Sequence, residues 1–417
     1  LPTLGERIRL LRKERKLTLD ALAGDRMSKG MLSLIENNKA KPSMESLSYI
    51  AERLGVPSSE LLEEVSANEL RNILEQAEEL TGVSIFSDKL DESRRKLMEL
   101  IAPYAERLGT GYESARLLEL YGRALHALGK NGWEEPTAKA AEIYDRLNIT
   151  ARRAAIGIFR AQTLFTQHEY AEALAVLLEE RKAIESRGTF IEPMTRLDFD
   201  YLEAVLYYAV GGQEEAARVM DRALKFSREK GLYYRMSDWY RLAAIDALMS
   251  GKPADYAHYM KKLRQYADFA DDEETTGFIK FLAVHELNSY EGRPEAALSL
   301  LQEEGLYAED GSVFRNAIHS PFFALESGKA LSSLGRHEEA VERFGQMDVR
   351  YDLIHHPIDL SLFLEGDAYL TESLWALGRH EEAAEIIRRA YDRTKPLIDT
   401  PYKDRVRLAY DRIIGGK

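Results

Sequence analysis

The chain has 417 residues, of which 45% are apolar and 30% charged, with a formal net charge of −13 and no cysteine. That length is too great for one ordinary core, and the lack of cysteine excludes disulfides, thiolate zinc sites and cysteine nucleophiles together. No apolar run approaches the ~20 residues that span a bilayer, and the opening "LPTLGERIRLLRKERK" lacks the apolar core of a signal peptide, so a cytoplasmic protein is expected. The charge is uneven: residues 1–57 hold eleven Lys and Arg against seven Asp and Glu, a net of +4, which leaves −17 for the remainder. A basic head on an acidic body lets the head alone approach phosphate.

Leu4, Ile8 and Leu11, with Leu10, recur at helical spacing, while Arg7, Arg9, Arg12, Lys13, Arg15 and Lys16 fill the other faces, which predicts an amphipathic first helix. Thr18 before "LDALAG" is a good N-cap and Gly24 a natural stop, giving a short second helix. Ser28 caps a third, "KGMLSLIENN". Either Met31, Leu34 and Ile35 or Leu32 and Ile35 face inward there, leaving Lys29, Gly30, Ser33 and Asn37 outward. Pro42 and Ser43 precede a fourth helix, "MESLSYIAERLG", ended by Gly55, and a fifth begins near "PSSELLEE". Five short helices with a tight second-to-third connection describe a helix-turn-helix domain.

The stretch "LTLDALAG…SKGMLSLIENNKAKPSMESLSYIAERLGV" resembles the Xre/Cro-type helix-turn-helix family. The resemblance implies that Ser28, Lys29, Gly30 and Ser33 meet base edges or nearby phosphates, that Asn37, Asn38, Lys39 and Lys41 meet the DNA backbone, and that Glu36 braces the domain itself. Leu19 stands where the family often carries a Gln, so that contact is missing. Lys29 is the main candidate for direct readout, because bidentate pairing of the arginine–guanine kind has no donor on this helix. The rival reading, a small protein-interaction domain with a basic first helix, has motif order, spacing and charge against it.

The body repeats. "LGRHEEAVERF" at 334 and "LGRHEEAAEII" at 377 are near copies, and related turns fall at Gly129, at Thr166 in the Gly slot, and at Gly211, Gly251 and Gly292. Each unit reads as helix, Gly-containing turn, helix, with acidic residues opening the second helix, where they suit its positive end. Small residues at Gly122, Ala204, Ala244 and Gly328, seven before the turn Gly, let paired helices approach closely. These positions resemble the tetratricopeptide pattern with a longer unit. The expected fold is all-α: a helix-turn-helix domain at 1–64, a helical linker or first helical pair at 65–109, and a right-handed superhelical tetratricopeptide-like solenoid at 110–417.

Stacked helix pairs form an inner groove lined by the first helix of each pair. In the tetratricopeptide pattern, six positions before the turn Gly is a groove position. Here that row is Arg123, Arg160, Val205, Ile245 (or Asp246 with one residue of slippage), Glu286, Lys329 and Glu372. Basic residues come early and acidic ones later, which suits a short peptide with its acidic end or carboxylate at the arginines. Asn288 and Asn316 join them because an Asn amide can hold a peptide main chain at both C=O and N–H. Each residue alone reads as a solvated or internally paired charge; as a set they read as a ligand groove. The aromatic segments "LYYRMSDWYRL" and "DFDYLEAVLYY" supply either pockets or inter-helix packing.

No histidine spacing of the HExxH kind, P-loop or nucleophile elbow occurs, so no enzymatic activity, metal or cofactor is expected. A helix-turn-helix head on a long tetratricopeptide-like array resembles the RRNPP family of peptide-sensing regulators, closest in length to its NprR and PlcR branch. The resemblance implies quorum sensing: a short secreted and re-imported peptide in the groove, a homodimer formed through the repeats, and operator DNA read as two half-sites about 34 Å or a multiple apart. The alternative is a repeat domain that binds a response regulator or another protein partner, in a phosphatase-like or sequestering role, with or without DNA binding.

Overall fold

The computed structural model describes residues 3–58, 61, 65, 67–83, 89–303, 320–347, 349, 351 and 353–416. Among these every regular element is a helix. The chain divides into two compact units, one running to residue 156 and including 188–190, the other holding the rest.

The first unit begins with four helices: α1 (Leu4–Glu14), α2 (Leu19–Ala23), α3 (Lys29–Glu36) and α4 (Met44–Leu54). Each start is capped by a hydroxyl that accepts from a backbone N–H one turn on: Thr3, Thr18, Ser28 and Ser43. Gly55 ends α4 in the left-handed conformation. Ile8, Leu22, Leu32, Ile35, Leu47, Ile50, Leu54 and Leu61 form the core of the head. Gly5 is obligatory: a Cβ there would sit 2.1 Å from the Ile35 carbonyl oxygen, so α1 and α3 meet backbone to backbone. The fifth expected helix lies largely outside the described residues.

Two expectations for α1 are corrected. Leu10 faces solvent, not the core. Arg7 and Arg12 turn inward, because long apolar stems carry their guanidinium groups to partners. Arg7 donates to the Leu61 carbonyl at 3.0 Å, and Arg12 grips Glu36 with two bonds of 2.6 and 2.8 Å.

A helical pair follows, α5 (Ala67–Thr81) and α6 (Leu90–Ile101), then a 3₁₀ turn at Ala105–Arg107 and the first hairpin of the array, α7 (Tyr112–Ala127) and α8 (Glu134–Arg146). Gly122 on α7 permits a close crossing, since a Cβ would lie 2.5 Å from Thr137 and 2.9 Å from the Trp133 carbonyl oxygen. The break between units falls within α9 (Thr150–Thr166).

The second unit continues as α10 (Tyr170–Glu185), α11 (Pro193–Ala209), α12 (Gln213–Lys230), α13 (Met236–Met249), α14 (Pro253–Ala270), α15 (Glu273–Ser289), α16 (Pro294–Glu303), α17 (Ser320–Ser333), α18 (His337–Gly345), α19 (Pro357–Ala376), α20 (His380–Thr394) and α21 (Pro401–Ile413). Gly211, Gly251, Gly292, Gly335 and Gly378 all turn with positive φ between paired helices, the left-handed C′ conformation that glycine adopts without strain. The α9–α10 hairpin corrects the expected slot: its left-handed residue is His168, φ 65°, rather than Thr166. Counting from His168 places Ala161, fully buried, in the small-residue row seven before the turn. It also places Gln162, not Arg160, six before. The aromatic segments pack between helices: Trp239 is fully buried with the Tyr201 ring edge-on at 5.4 Å, and Phe199 and Tyr208 are buried.

Candidate functional site

On the head, Leu32 and Ile35 face inward, so the second of the two sequence readings holds for α3. Met31 and Leu34 instead lie on its outer face, 48% and 45% exposed, beside Lys29, Gly30 and the half-buried Ser33. Ser28 is partly committed, its hydroxyl accepting from the Met31 N–H at 3.1 Å. Lys29 pairs with Asp20 at 3.0 Å, both side chains well exposed, and an exposed pair of this kind exchanges readily for a phosphate. Lys39 and Lys41 are exposed.

Asn37 caps α3 and donates to the Ser33 carbonyl at 2.7 Å. Asn38, expected at the DNA backbone, turns into the domain: with φ at 57°, its amide donates to Thr3 Oγ1 and accepts from the Gly5 N–H at 3.2 Å. It ties the end of α3 to the start of α1. Glu36 braces the domain through Arg12 as expected, and burial with this partner identifies it as structural.

In the array, the groove-row residues are engaged with one another's neighbours. Arg123 bonds Glu119 at 3.1 Å and the Ala155 carbonyl at 2.9 Å, and burial holds its guanidinium below the usual arginine range. Arg160 pairs with Glu180. Asp246 lies beside Tyr208, whose hydroxyl burial and that carboxylate hold protonated far above its ordinary range. Burial raises the Glu286 carboxyl, opposed by a hydrogen bond from Tyr256. Glu372 takes Arg405 at 2.6 Å and Arg412 at 2.9 Å. Asn316 lies outside the described residues.

Lys329 is not a groove-surface residue. It is 1% exposed, with its ammonium 3.2 Å from Glu326, 2.8 Å from Glu365 and 2.6 Å from Ser289 Oγ. His285 bridges Glu326 and the Tyr402 hydroxyl, one ring nitrogen 2.8 Å from each. Burial alone would raise the Glu326 carboxyl, yet Lys329, His285 and the hydrogen bonds of His285 and Asn288 bring it down to about 2. Helices α15, α17 and α19 are thereby joined to α21 through Tyr402. The Asn288 amide donates to the Glu326 carbonyl at 2.9 Å and carboxylate at 2.8 Å, while its Oδ1 is buried without a hydrogen-bond partner among the described residues.

Two features escaped the sequence. The segment before α19 crosses to the early pairs of the second unit: Tyr170 donates to the His355 carbonyl at 2.8 Å, and His356 Nε2 donates to the Val205 carbonyl at 3.2 Å. The Phe165 ring lies 6.3 and 6.2 Å from the two imidazoles. Burial lowers the His356 imidazole and raises the Asp359 carboxyl beside it. Val205 is a groove-row position, so the strap reaches the row at that residue, through its backbone carbonyl. Separately, a cavity of about 380 Å³ opens where Arg181 and Arg222 converge on the buried Asp200, at 2.7 and 2.9 Å.

Residues 5–66 match the family model described as a helix-turn-helix domain, and the head is such a domain. No curated protein matches the chain. Among solved structures the chain is similar to Bacillus thuringiensis PlcR in complex with the peptide PapR7 and DNA, at 16% identity over 67% of this chain and 99% of that one, with a TM-score of 0.36. It is also similar to the competence regulator ComR from Streptococcus vestibularis in complex with its signalling peptide XIP, at 19% identity over 66% and 96%, TM-score 0.39. A third is the SHP pheromone receptor Rgg2 of Streptococcus dysgalactiae, at 13% identity over 66% and 98%, TM-score 0.30. No helix among the described residues is long and apolar enough to cross a membrane.

Proposed function

We propose that the chain is a transcription regulator that binds double-stranded operator DNA through its head and is switched by a short signalling peptide held on its helical array. The observation that carries this reading is the helix-turn-helix head with α3 uncovered and its exposed cations around it, joined to an acidic array of helical hairpins. Ser28, Lys29, Gly30 and Ser33 approach base edges, while Asn37, Lys39 and Lys41 hold phosphate. The peptide occupies the first-helix row of the second unit, which includes Asp246, Glu286 and Glu372. The role is binding rather than catalysis, with a homodimer presenting two heads to two half-sites.

A peptide acts only if it binds one arrangement of the array better than another. Size exclusion with light scattering, together with DNA-binding titrations, is to be run with and without short peptides encoded just downstream of the gene. A peptide that changes oligomeric state or DNA affinity supports the reading. Absence of any specific DNA complex, with co-elution of a phosphorylated response regulator instead, refutes it.

A further inference from the structure

The outer face of α3 is more apolar than a charge-reading helix needs. Its first three residues are Lys29, Gly30 and Met31, the positions from which a recognition helix reaches base edges. Of these, Lys29 has its charge partly answered by Asp20, and Gly30 offers no side chain, with only Ser28 Oγ, at 4.0 Å, near where a Cβ would stand. Met31 is left as the large exposed apolar side chain at that end, and Leu34 continues its face one turn on. Neither is required by the core, which Leu32 and Ile35 already fill.

An exposed apolar pair at the tip of a basic domain needs an apolar feature framed by phosphate. The major groove supplies one, the C5-methyl group of thymine, which stands on a base pair between two charged strands. Exposed Arg9, Lys13, Lys39 and Lys41 provide the complementary charge around it. Met suits the contact because its unbranched, polarisable chain adapts to a methyl without a fixed rotamer.

We infer that Met31 is a specificity-determining residue that reads thymine methyl groups in the major groove, with Leu34 flanking it. This rests on the proposed DNA-binding reading. The half-site therefore carries thymine at the step facing Met31, and its recognition depends on shape and methyl contact more than on hydrogen bonds to guanine.

The test uses the full chain. Bound duplexes are first selected from a randomised pool at low ionic strength, with and without the peptide pool. The selected duplex is then titrated with thymine or deoxyuridine at each conserved thymine, a change that removes only the methyl. Wild type is expected to lose about fourfold in affinity for each contacted methyl removed. Met31→Ala, at an exposed position that leaves the core intact, should bind the thymine duplex more weakly and show no further loss with deoxyuridine. An unchanged wild-type affinity for the deoxyuridine duplex, or a Met31→Ala protein that keeps the full deoxyuridine penalty, overturns the inference while leaving DNA binding standing. Failure to select any duplex rejects the DNA-binding reading and this inference with it.

Discussion

Replacing Lys329 by Met keeps the volume of the side chain and removes its charge, leaving Glu326 and Glu365 buried without the cation at 3.2 and 2.8 Å. The descent of the Glu326 carboxyl from 4.5 to about 2 measures, against burial, the combined pull of Lys329, His285 and Asn288 from the acid's side, with Lys329 the largest favourable part. At about 1.4 kcal/mol per pH unit it corresponds to about 3 kcal/mol, within the range found when one partner of a buried pair is deleted. The raised Lys329 ammonium reports the same attraction from the other side, so it is counted once. In the wild type this contribution is fully present above pH 4.5 and is lost as pH falls toward 2. In Lys329→Met the largest pull opposing burial at Glu326 is gone and only the bonds of His285 and Asn288 remain, so its carboxyl rises and acid costs the variant less than the parent. At pH 7 the melting temperature of the variant should fall by about 6–12 °C, and the gap should close as pH is lowered toward 4. Scanning calorimetry across that pH range checks both. A variant melting within 2 °C (roughly half a kcal/mol) of the parent at pH 7, or a gap that widens in acid, refutes the view of this cluster as a stabilising joint between α15, α17, α19 and α21.

Gly328→Ala should destabilise the array by about 1–3 kcal/mol, because the new Cβ would lie 2.7 Å from the Phe344 ring; urea unfolding against the parent measures it. Gly378→Ala meets no atom within 4 Å and should lose only about 1 kcal/mol to its positive φ, so an equal loss at both sites would remove close approach as the cause. Lys39→Ala and Lys41→Ala should each flatten the plot of log affinity against log salt by about 1, while changing the selected DNA sequence little. An unaltered slope would take those lysines off the phosphates.

Turns and caps were legible in the sequence because their chemistry is local. A left-handed C′ position selects glycine, so five of the second unit's hairpins announced themselves at Gly211, Gly251, Gly292, Gly335 and Gly378. The α9–α10 turn was misplaced by two residues because His168 takes the left-handed conformation there without being glycine. The buried small residue at Ala161 was the signal that could have corrected it, since it falls in line with Gly122, Ala204, Ala244 and Gly328. The inward face of α3 was ambiguous because Met31, Leu32, Leu34 and Ile35 satisfy helical spacing in two phases. The ion pairs of the groove row were not legible. Apart from Arg123, whose partner Glu119 stands one turn back on its own helix, the partners sit on other helices, as Arg405 does for Glu372, and no periodicity predicts which cation such a carboxylate meets.

The strap at His355 and His356 marks the limit of such reading and bears on how a peptide would act. Its contacts to Tyr170 and Val205 join positions 185 and 151 residues apart, and nothing in a loop sequence encodes a partner at that distance. Yet it touches, at Val205, the row through which the peptide is proposed to bind, and Glu372 on that row already has partners in Arg405 and Arg412. A ligand entering here therefore exchanges contacts instead of adding them: each carboxylate or main-chain group must replace one that the protein already makes. Exchange lowers the net affinity of any peptide that matches only part of the row, and it alters pairings between helices when the match is complete. Discrimination among peptides and a change in the array then have one physical origin, the release of intramolecular partners. That is the differential binding between two states on which a switch depends.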